Sequence, residues 1–483
     1  MIEFSIIEKP ASIFDRDREW ALLSRFLASP SARLGLVYGR RRLGKTHIVE
    51  RIAAQVNGLY FCAAQQPSAR NLDDFGQAVG RWRNIVSPNY RSWDEALRDV
   101  LAHPETGRSV VVLDEAGYLV EQEPAFPSLL QRALDRQPRP VRPVLLSGSS
   151  HAVMKTLTAP GKPLRGRASL ELVLDPFDFR TTASFWGIQE ARLAVQHWST
   201  IGGTPGYREL CDEAAPTSLR DFPAWLTRYV LAPGAPLHRE GRVVLLEEST
   251  VGETPGHWSV LAAITSGARS RSEIATATGR PSTALAIPLA ILTASGLVVR
   301  DQDPLHRKRS TYSVCEPIVT TWKEVIEPID RRKIRRDDRR WFDDIEAPLH
   351  SRVIGPAFER LARDWTLNDA AERTLGGHVT AVGESTVGRS ISGHGAMQLD
   401  VVAIDRDPAG HPQVIAIGEA KHQLRPMGAA QLDRLDAARE RLGAQTAKLL
   451  LFCDAGFDRT LERQAQRRTD VELIDADRLL TGS

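Results

Sequence analysis

Short unbroken apolar runs alternate with longer stretches of helical period through the first 180 residues of the chain. Arg33-Leu34-Gly35-Leu36-Val37-Tyr38 predicts a buried strand, and Thr46–Val56 the helix that follows it. Ser109–Asp114 and Val141–Ser147 are two further apolar runs, separated by a helical pattern over Phe126–Asp135. Strands that are apolar on both faces and alternate with helices predict a parallel sheet covered on both sides. From about residue 185 to 250 the pattern turns helical and rich in tryptophan. Residues 255–315 read as three short helices, Trp258–Thr265, Ser272–Thr278 and Ser282–Ser295, followed by a hairpin that pairs Gly296–Arg300 with Arg309–Ser313. Asp330–Arg340 reads as a basic linker helix, and a second α/β unit begins after about residue 346. An α/β chain is therefore expected, divided at 1–182, 183–252, 253–320, 321–345 and 346–483.

A chain of 483 residues exceeds what one core supports, and about three or four domains are expected. Charged residues at 25% and hydrophobic residues at 42% exclude a disordered or fibrous chain. The net charge of +3 says little about partners, but residues 255–340 hold fifteen Lys/Arg against nine Asp/Glu, a local +6. A basic middle in a neutral chain directs attention to nucleic acid. Cys62, Cys211, Cys315 and Cys453 are far apart with no CxxC spacing, which argues against a disulfide framework or structural zinc and fits a reducing compartment. No run of eighteen apolar residues occurs and no charged-then-apolar leader opens the chain. A soluble cytoplasmic protein without a membrane partner is the expectation.

The sharpest chemical signal is Gly39-Arg40-Arg41-Arg42-Leu43-Gly44-Lys45-Thr46, which matches GxxxxGK[ST] between a predicted strand and a predicted helix. Such a loop aims backbone N–H groups and a helix N-terminus at phosphate. Lys45 is expected to neutralise the β- and γ-phosphates of ATP, and the Thr46 hydroxyl to coordinate Mg²⁺. Asp114-Glu115 ends a buried strand, where Asp114 is expected to hold the metal and Glu115 to act as the base that polarises the attacking water. The third strand ends in Ser147-Gly148-Ser149-Ser150. Ser147 there suits a polar sensor between the γ-phosphate and the second acid, and an N-cap for a helix starting near His151 fits the same stretch equally. Arg165 or Arg167 could serve as an arginine finger, in cis or in an oligomer in trans, against the default of a solvated loop arginine.

Phe14-Asp15-Arg16-Asp17-Arg18-Glu19 resembles the "hydrophobic-x-GRExE" opening of STAND-type ATPases within the AAA+ superfamily, with Asp15 replacing the glycine. Ile201-Gly202-Gly203-Thr204-Pro205-Gly206-Tyr207 resembles the GxP motif of their helical lid, and the resemblance places Pro205 at the adenine base. The order of these motifs is similar to that of the archaeal-type ATPase family, over most of residues 10–210. The resemblance implies a nucleotide-operated switch, often a slow hydrolase, rather than a metabolic kinase.

The three helices and hairpin of residues 257–313 resemble a winged helix-turn-helix with a basic wing tip at Arg307-Lys308. Modules of that kind place the last helix in the major groove and the wing on phosphate. Here the last helix is apolar, with only Arg280, Ser282 and Thr283 suited to contact DNA, so an interdomain packing piece is an equal reading. The basic stretch at Arg331–Arg340 is likewise either a solvated linker or a phosphate contact.

In the last segment Phe358, Leu361 and Trp365 form a helical stripe with Glu359 beside it. Met397–Ile404 reads as a strand carrying Asp400, and Val414–Lys421 as the returning strand ending in Glu419-Ala420-Lys421. An acid in one strand and Glu-x-Lys at the end of the next resembles the core of the PD-(D/E)xK, restriction-endonuclease-like superfamily. The resemblance implies Asp400 and Glu419 as Mg²⁺ ligands, Lys421 as the group that positions the nucleophile, Glu359 completing the metal shell and Gln431 assisting. The fold class expected is thus α/β: a P-loop AAA+ parallel sheet with a helical lid, a winged helix-turn-helix and a C-terminal restriction-endonuclease-like domain. An ATP-controlled enzyme acting on double-stranded DNA is the leading functional expectation. A non-cleaving regulator that binds DNA or protein is the alternative.

Overall fold

The computed structural model describes residues 7–102, 109–136, 142–247, 255–306, 308–332, 341–388, 396–407 and 410–482. The chain forms two compact units, Met1–Pro176 and the pair of segments Phe177–Leu246 and Val251–Ser483. Among the described residues no helix is long and apolar enough to cross a membrane.

The first unit is built on β1 (Leu34–Tyr38), β2 (Leu59–Cys62), β3 (Val111–Asp114), β4 (Val144–Gly148) and β5 (Ala168–Val173). They run parallel in the order β2-β3-β4-β1-β5. Successive side chains on a strand face opposite ways, and the two faces fill two separate cores. Leu34, Leu36, Leu113 and Leu146 pack with Phe75, Trp93 and Leu130. Val37, Val112 and Leu145 pack with Ile48, Ile52 and Trp20. Covering both faces is what makes β1, β3 and β4 legible as apolar runs. β2 and β5 escape a hydropathy reading because they are the two edges of the sheet, and β5 alternates polar and apolar residues, Ala-Ser-Leu-Glu-Leu-Val.

In the second unit the helices Phe179–Trp186 and Ala191–Ile201 share one core with the helices that follow and one face of the C-terminal sheet, from Leu193 and Val195 through Leu261 and Leu292 to Phe358 and Trp365. The three-helix segment consists of Pro255–Thr265, Arg271–Thr278 and Ala286–Ala294. A capping box formed by Ser270 and Glu273 starts the second of these. The third begins later than its apolar pattern predicts, after a 3₁₀ turn at Ser282–Leu285. Pro288 explains this, since proline has no N–H to give to a preceding turn and is tolerated only in a helix's first turn. The hairpin pairs β6 (Val298–Gln302) with β7 (Ser310–Val314), Val298 facing Val314. Arg307 at its tip, and residues 333–340 of the basic linker, lie outside the described residues.

The last segment carries β8 (Ala381–Val387), β9 (Met397–Arg406), β10 (Pro412–Lys421), β11 (Lys448–Cys453) and β12 (Val471–Ile474). They form one sheet in the order β12-β11-β10-β9-β8, antiparallel over β8-β9-β10 and parallel over β10-β11-β12. Helix Gly355–Asn368 buries Phe358, Leu361 and Trp365 in the core on one face, with Trp365 edge-on to Phe452 at 5.7 Å between ring centroids. Helix Ala430–Leu442 covers the other face through Leu432 and Leu435.

Candidate functional sites

The loop Gly39–Thr46 joins β1 to helix Lys45–Gln55, as its spacing predicts. Gly39 sits where a Cβ would come within 2.4 Å of the Leu174 carbonyl oxygen, with φ +158, so a side chain there would collide with backbone. Gly44 takes φ 88 and Arg42 φ 64, and the left-handed turn they make folds the loop back on itself. Lys45 is buried, and its Nζ donates to the Arg40 carbonyl at 2.8 Å. Leu43 packs into the core beside Ile48, and its carbonyl accepts from Arg16 Nη2 at 3.5 Å. Arg16 also donates to the Asp175 carbonyl at 2.7 Å. The opening motif thus ties the phosphate loop to the chain leaving β5. Asp15, which stands in place of the motif's glycine, adopts φ 54; aspartate tolerates that left-handed backbone better than most residues.

Asp114 ends β3 fully buried, with donors on both oxygens. Thr46 Oγ1 and the Tyr60 hydroxyl donate to Oδ2 at 2.8 and 3.0 Å, and the Glu115 amide to Oδ1 at 3.0 Å. Burial, followed by the Asp114 charge, pushes the Tyr60 hydroxyl far above the ordinary tyrosine value. Tyr60 therefore stays a protonated donor. It was not visible as a site residue, because nothing in sequence links β2 to β3. Glu115 takes φ 49 at the start of helix Ala116–Gln122, and its Oε1 accepts from Ser149 Oγ at 2.9 Å.

The strand order explains the serines. β4 lies between β1 and β3, pairing Ser147 with Val37 and Leu146 with Leu113, so the end of β4 lies between the phosphate loop and Asp114. Ser147 Oγ is buried with no hydrogen-bond partner among the described residues, whereas Ser150 caps helix His151–Leu157 by accepting from the Val153 amide. The N-cap of this stretch thus falls on Ser150 and not on Ser147. Arg167 is engaged by helix Phe126–Arg136 and by its own loop: its Nη2 meets Asp135 Oδ2 at 2.7 Å and its Nη1 donates to the Pro163 carbonyl. Pro205 belongs to the second unit, where it starts helix Gly206–Leu210. There Thr204 Oγ1 donates to Glu316 Oε1 at 3.1 Å, and the Gly203 carbonyl accepts from the Phe177 amide.

The second constellation follows from strand register. Gly418 on β10 pairs with Val401 on β9, so the next step along the antiparallel pair sets Glu419 opposite Asp400. Residues two apart on a strand share a face, which brings Lys421 to Glu419. Lys421 Nζ lies 2.9 Å from Glu419 Oε1 and 3.7 Å from Asp400 Oδ2. Asp400 Oδ2 accepts the Ala420 amide at 3.0 Å, and Arg363 donates to the Asp400 carbonyl at 3.1 Å. Glu419 is only 1% exposed. The helix that carries Gln431 reaches it through Arg434, whose Nη1 donates to Glu419 Oε1 at 3.0 Å. Burial and then the Glu419 charge raise the Asp400 pKa. Burial pulls the Lys421 ammonium down, but Asp400 and Glu419 outweigh it and its pKa is raised.

Glu359 feels the Asp400 charge, and burial first and that charge next raise its pKa against the pull of Arg269. Its carboxylate is taken by Arg269 Nη2 at 2.6 Å, while Nη1 of the same guanidinium pairs with Glu384 on β8. Arg269, Glu384, Arg363 and Arg434 carry no motif and were missed by sequence reasoning. His422, next to Lys421, continues into a buried chain. Its Nδ1 lies 2.9 Å from Asp454 Oδ2, and its Nε2 2.6 Å from His350 Nδ1.

Both constellations suit a hard divalent cation. Thr46 and Asp114 offer an adjacent hydroxyl and carboxylate. Asp400 and Glu419 offer two carboxylates, with Glu419 Oε2 buried and lacking a hydrogen-bond partner among the described residues. Mg²⁺ keeps most of its waters and takes one or two carboxylates plus substrate phosphate. A three-carboxylate shell including Glu359 is not assembled: among the described residues no three His, Cys, Asp or Glu side chains group as a metal site.

Residues 31–183 match the protein family described as "AAA domain". The uncharacterized protein MJECL04 of Methanocaldococcus jannaschii is 23% identical over 197 residues, spanning 40% of this chain and 43% of that protein. The chain thus matches less than half the length of that relative. Among solved structures, the Aeropyrum pernix ORC2 protein in ADPNP–ADP complexes is similar with a TM-score of 0.45 at 16% identity, over 68% of this chain and 97% of that one. Its ADP form gives 0.38 at 16% identity, over 68% and 97%. Cdc6p from Pyrobaculum aerophilum gives 0.32 at 16% identity, over 69% and 98%. All three likenesses are distant.

Proposed function

We infer that this chain, whose residues 31–183 form an AAA-type P-loop domain, is a Mg²⁺-dependent ATP-binding and hydrolysing switch coupled to a nuclease-like, DNA-processing domain. In this reading the backbone of Gly39–Gly44 and the amine of Lys45 hold the phosphates. Thr46 and Asp114 hold the metal, Glu115 takes the proton of the attacking water and Ser147 senses the γ-phosphate. Residues 183–252 act as the lid, with Pro205 at the adenine, and 253–320 as a winged helix. Arg167 serves as the arginine finger only if it leaves Asp135. In the C-terminal segment Asp400 and Glu419 hold the ion, and Lys421 orients the nucleophile and meets developing charge. Bound Mg²⁺ supplies charge neutralisation at the scissile phosphate and a water of lowered pKa.

The observation that carries the nuclease-like half is the meeting of Asp400, Glu419 and Lys421 on the paired strands β9 and β10, with one Glu419 oxygen buried and lacking a hydrogen-bond partner among the described residues. The protein with Mg²⁺ is expected to cut duplex DNA, and Asp400→Ala and Lys421→Ala each to lower the rate about 100-fold or more. Cleavage by both variants at the parental rate would remove the assignment. A non-cleaving regulator is the second reading, favoured by one observation: basic side chains already occupy the carboxylates, Arg269 on Glu359 and Arg434 on Glu419. No Mg²⁺-dependent cutting, together with nucleotide-dependent DNA binding, decides for it.

A further inference from the structure

The Arg269 side chain crosses from the three-helix segment to the C-terminal sheet. Its backbone is fixed at both ends: the amide donates to Glu273 Oε2 at 2.9 Å, and the carbonyl accepts from the Tyr312 amide of β7 at 2.8 Å. The guanidinium then forks onto two carboxylates from two different elements, Glu359 of helix Gly355–Asn368 and Glu384 of β8. A cleft of about 720 Å³ opens beside this fork, with Arg271, Lys308 and Arg309 on one wall and Glu359 and Glu384 on the other. Those three basic side chains are exposed, while the Glu384 side chain is 9% exposed and the Glu359 side chain 20%.

We propose that Arg269 is a latch on the Asp400 site, opened when the phosphodiester backbone of duplex DNA enters this cleft and draws the guanidinium off Glu359. The proposal rests on the nuclease-like reading of Asp400 and Glu419. A guanidinium fork fits phosphate as well as carboxylate, and the row Arg271, Lys308 and Arg309 supplies the positive field that brings a phosphate to it. With the latch closed, one positive charge is shared between Glu359 and Glu384, and Glu359 cannot serve as a ligand beside Asp400. Withdrawing Arg269 removes the base that grips Glu359 and Glu384 and leaves Glu359, which lies in the field of Asp400 as well as of Arg363, open to a divalent cation. Metal capture thereby becomes conditional on DNA, and the segment that contacts DNA is the segment that holds the site shut.

Mn²⁺ binding by the full chain, followed by its paramagnetic signal in a Lys45→Ala background without nucleotide, tests this independently of cleavage. Arg269→Gln is expected to tighten Mn²⁺ binding about tenfold, with the gain abolished when Glu359→Gln is added. A 20-base-pair duplex is expected to tighten Mn²⁺ binding to the Lys45→Ala protein and to add nothing once Arg269→Gln is present. Arg269→Lys, which keeps the charge but cannot fork onto two carboxylates, gives a smaller gain and serves if Arg269→Gln fails to fold. Asp400-dependent Mn²⁺ binding that is unchanged or weakened by these substitutions overturns the latch while leaving the nuclease-like reading standing. Mn²⁺ binding indifferent to Asp400→Ala overturns that reading, and the latch with it.

Discussion

Asp114 and Asp400 are both strand-borne carboxylates, yet they are held in opposite ways. Asp114 is held by neutral donors, the Thr46 and Tyr60 hydroxyls and the Glu115 amide, with Lys45 turned to a loop carbonyl. Hydroxyl and amide donors fix a carboxylate without cancelling its charge, so a cation can be added with little rearrangement. Around Asp400 the acids are met by charged bases, Lys421 and Arg434 on Glu419 and Arg269 on Glu359 and Glu384. Such pairs must be broken before a metal enters, a cost that the neutral donors around Asp114 do not impose. On the proposed reading the first arrangement stands ready for a cation and the second must open for one.

The strongest challenge to this contrast is Lys45→Ala. ATP turnover measured by phosphate release is expected to fall about 1000-fold, with nucleotide binding lost. If the two regions are coupled, activity at Asp400 changes in the same variant; unchanged C-terminal behaviour would make them independent modules. Glu115→Gln is the next largest effect: nucleotide affinity stays within a few-fold while turnover drops about 100-fold. Parental turnover would return the base role to another group.

Stability sharpens the comparison from a different side. His197, in the second unit, has both ring nitrogens buried without a hydrogen-bond partner among the described residues, packed against Trp186 at 4.5 Å and Trp225 at 5.2 Å. Burial pushes its pKa down to about 3. Below the ordinary histidine value of about 6.5 the unfolded chain binds a proton that the folded one refuses, so stability falls as pH drops from there toward about 3. The expected slope approaches 1.4 kcal/mol per pH unit. Denaturant titrations at pH 7 and pH 5 should show the second unit weakening more than the first, and His197→Phe should flatten that difference. A slope untouched by the substitution would assign it to other groups. The smallest effect expected is that of Tyr60→Phe, which removes one of three donors to Asp114, about 1 kcal/mol. Its mark is a several-fold rise in the Mg²⁺ concentration that half-saturates ATP turnover, with no change at Asp400.

The legibility of the two sites differs for the same reason as their construction. Gly39–Thr46 is contiguous, and the steric demand at Gly39 and the turn at Arg42 and Gly44 are local, so the string itself announces the loop. β1, β3 and β4 are buried on both faces and read directly as apolar runs. Edge strands β2 and β5 do not, and Tyr60 was lost with β2. Glu-x-Lys was legible because residues two apart on a strand share a face, and Asp400 because the returning strand pairs with its own hairpin partner. The helix predicted over Ser282–Ser295 was shortened by Pro288, a local signal that its apolar pattern outweighed.

Residue type and spacing by themselves determined the phosphate loop, the acid ending β3 and the facing pair Asp400 and Glu419, because each depends on backbone geometry within one strand, turn or hairpin. Tertiary structure alone decided which charges answer those acids. Arg269 lies 90 residues from Glu359 and 115 from Glu384, and a guanidinium can meet either of them only after three separate elements have packed. No spacing rule reaches across such distances, since a long intervening chain closes on many partners at nearly equal entropic cost. Packing of the core beneath them selects the pair that forms.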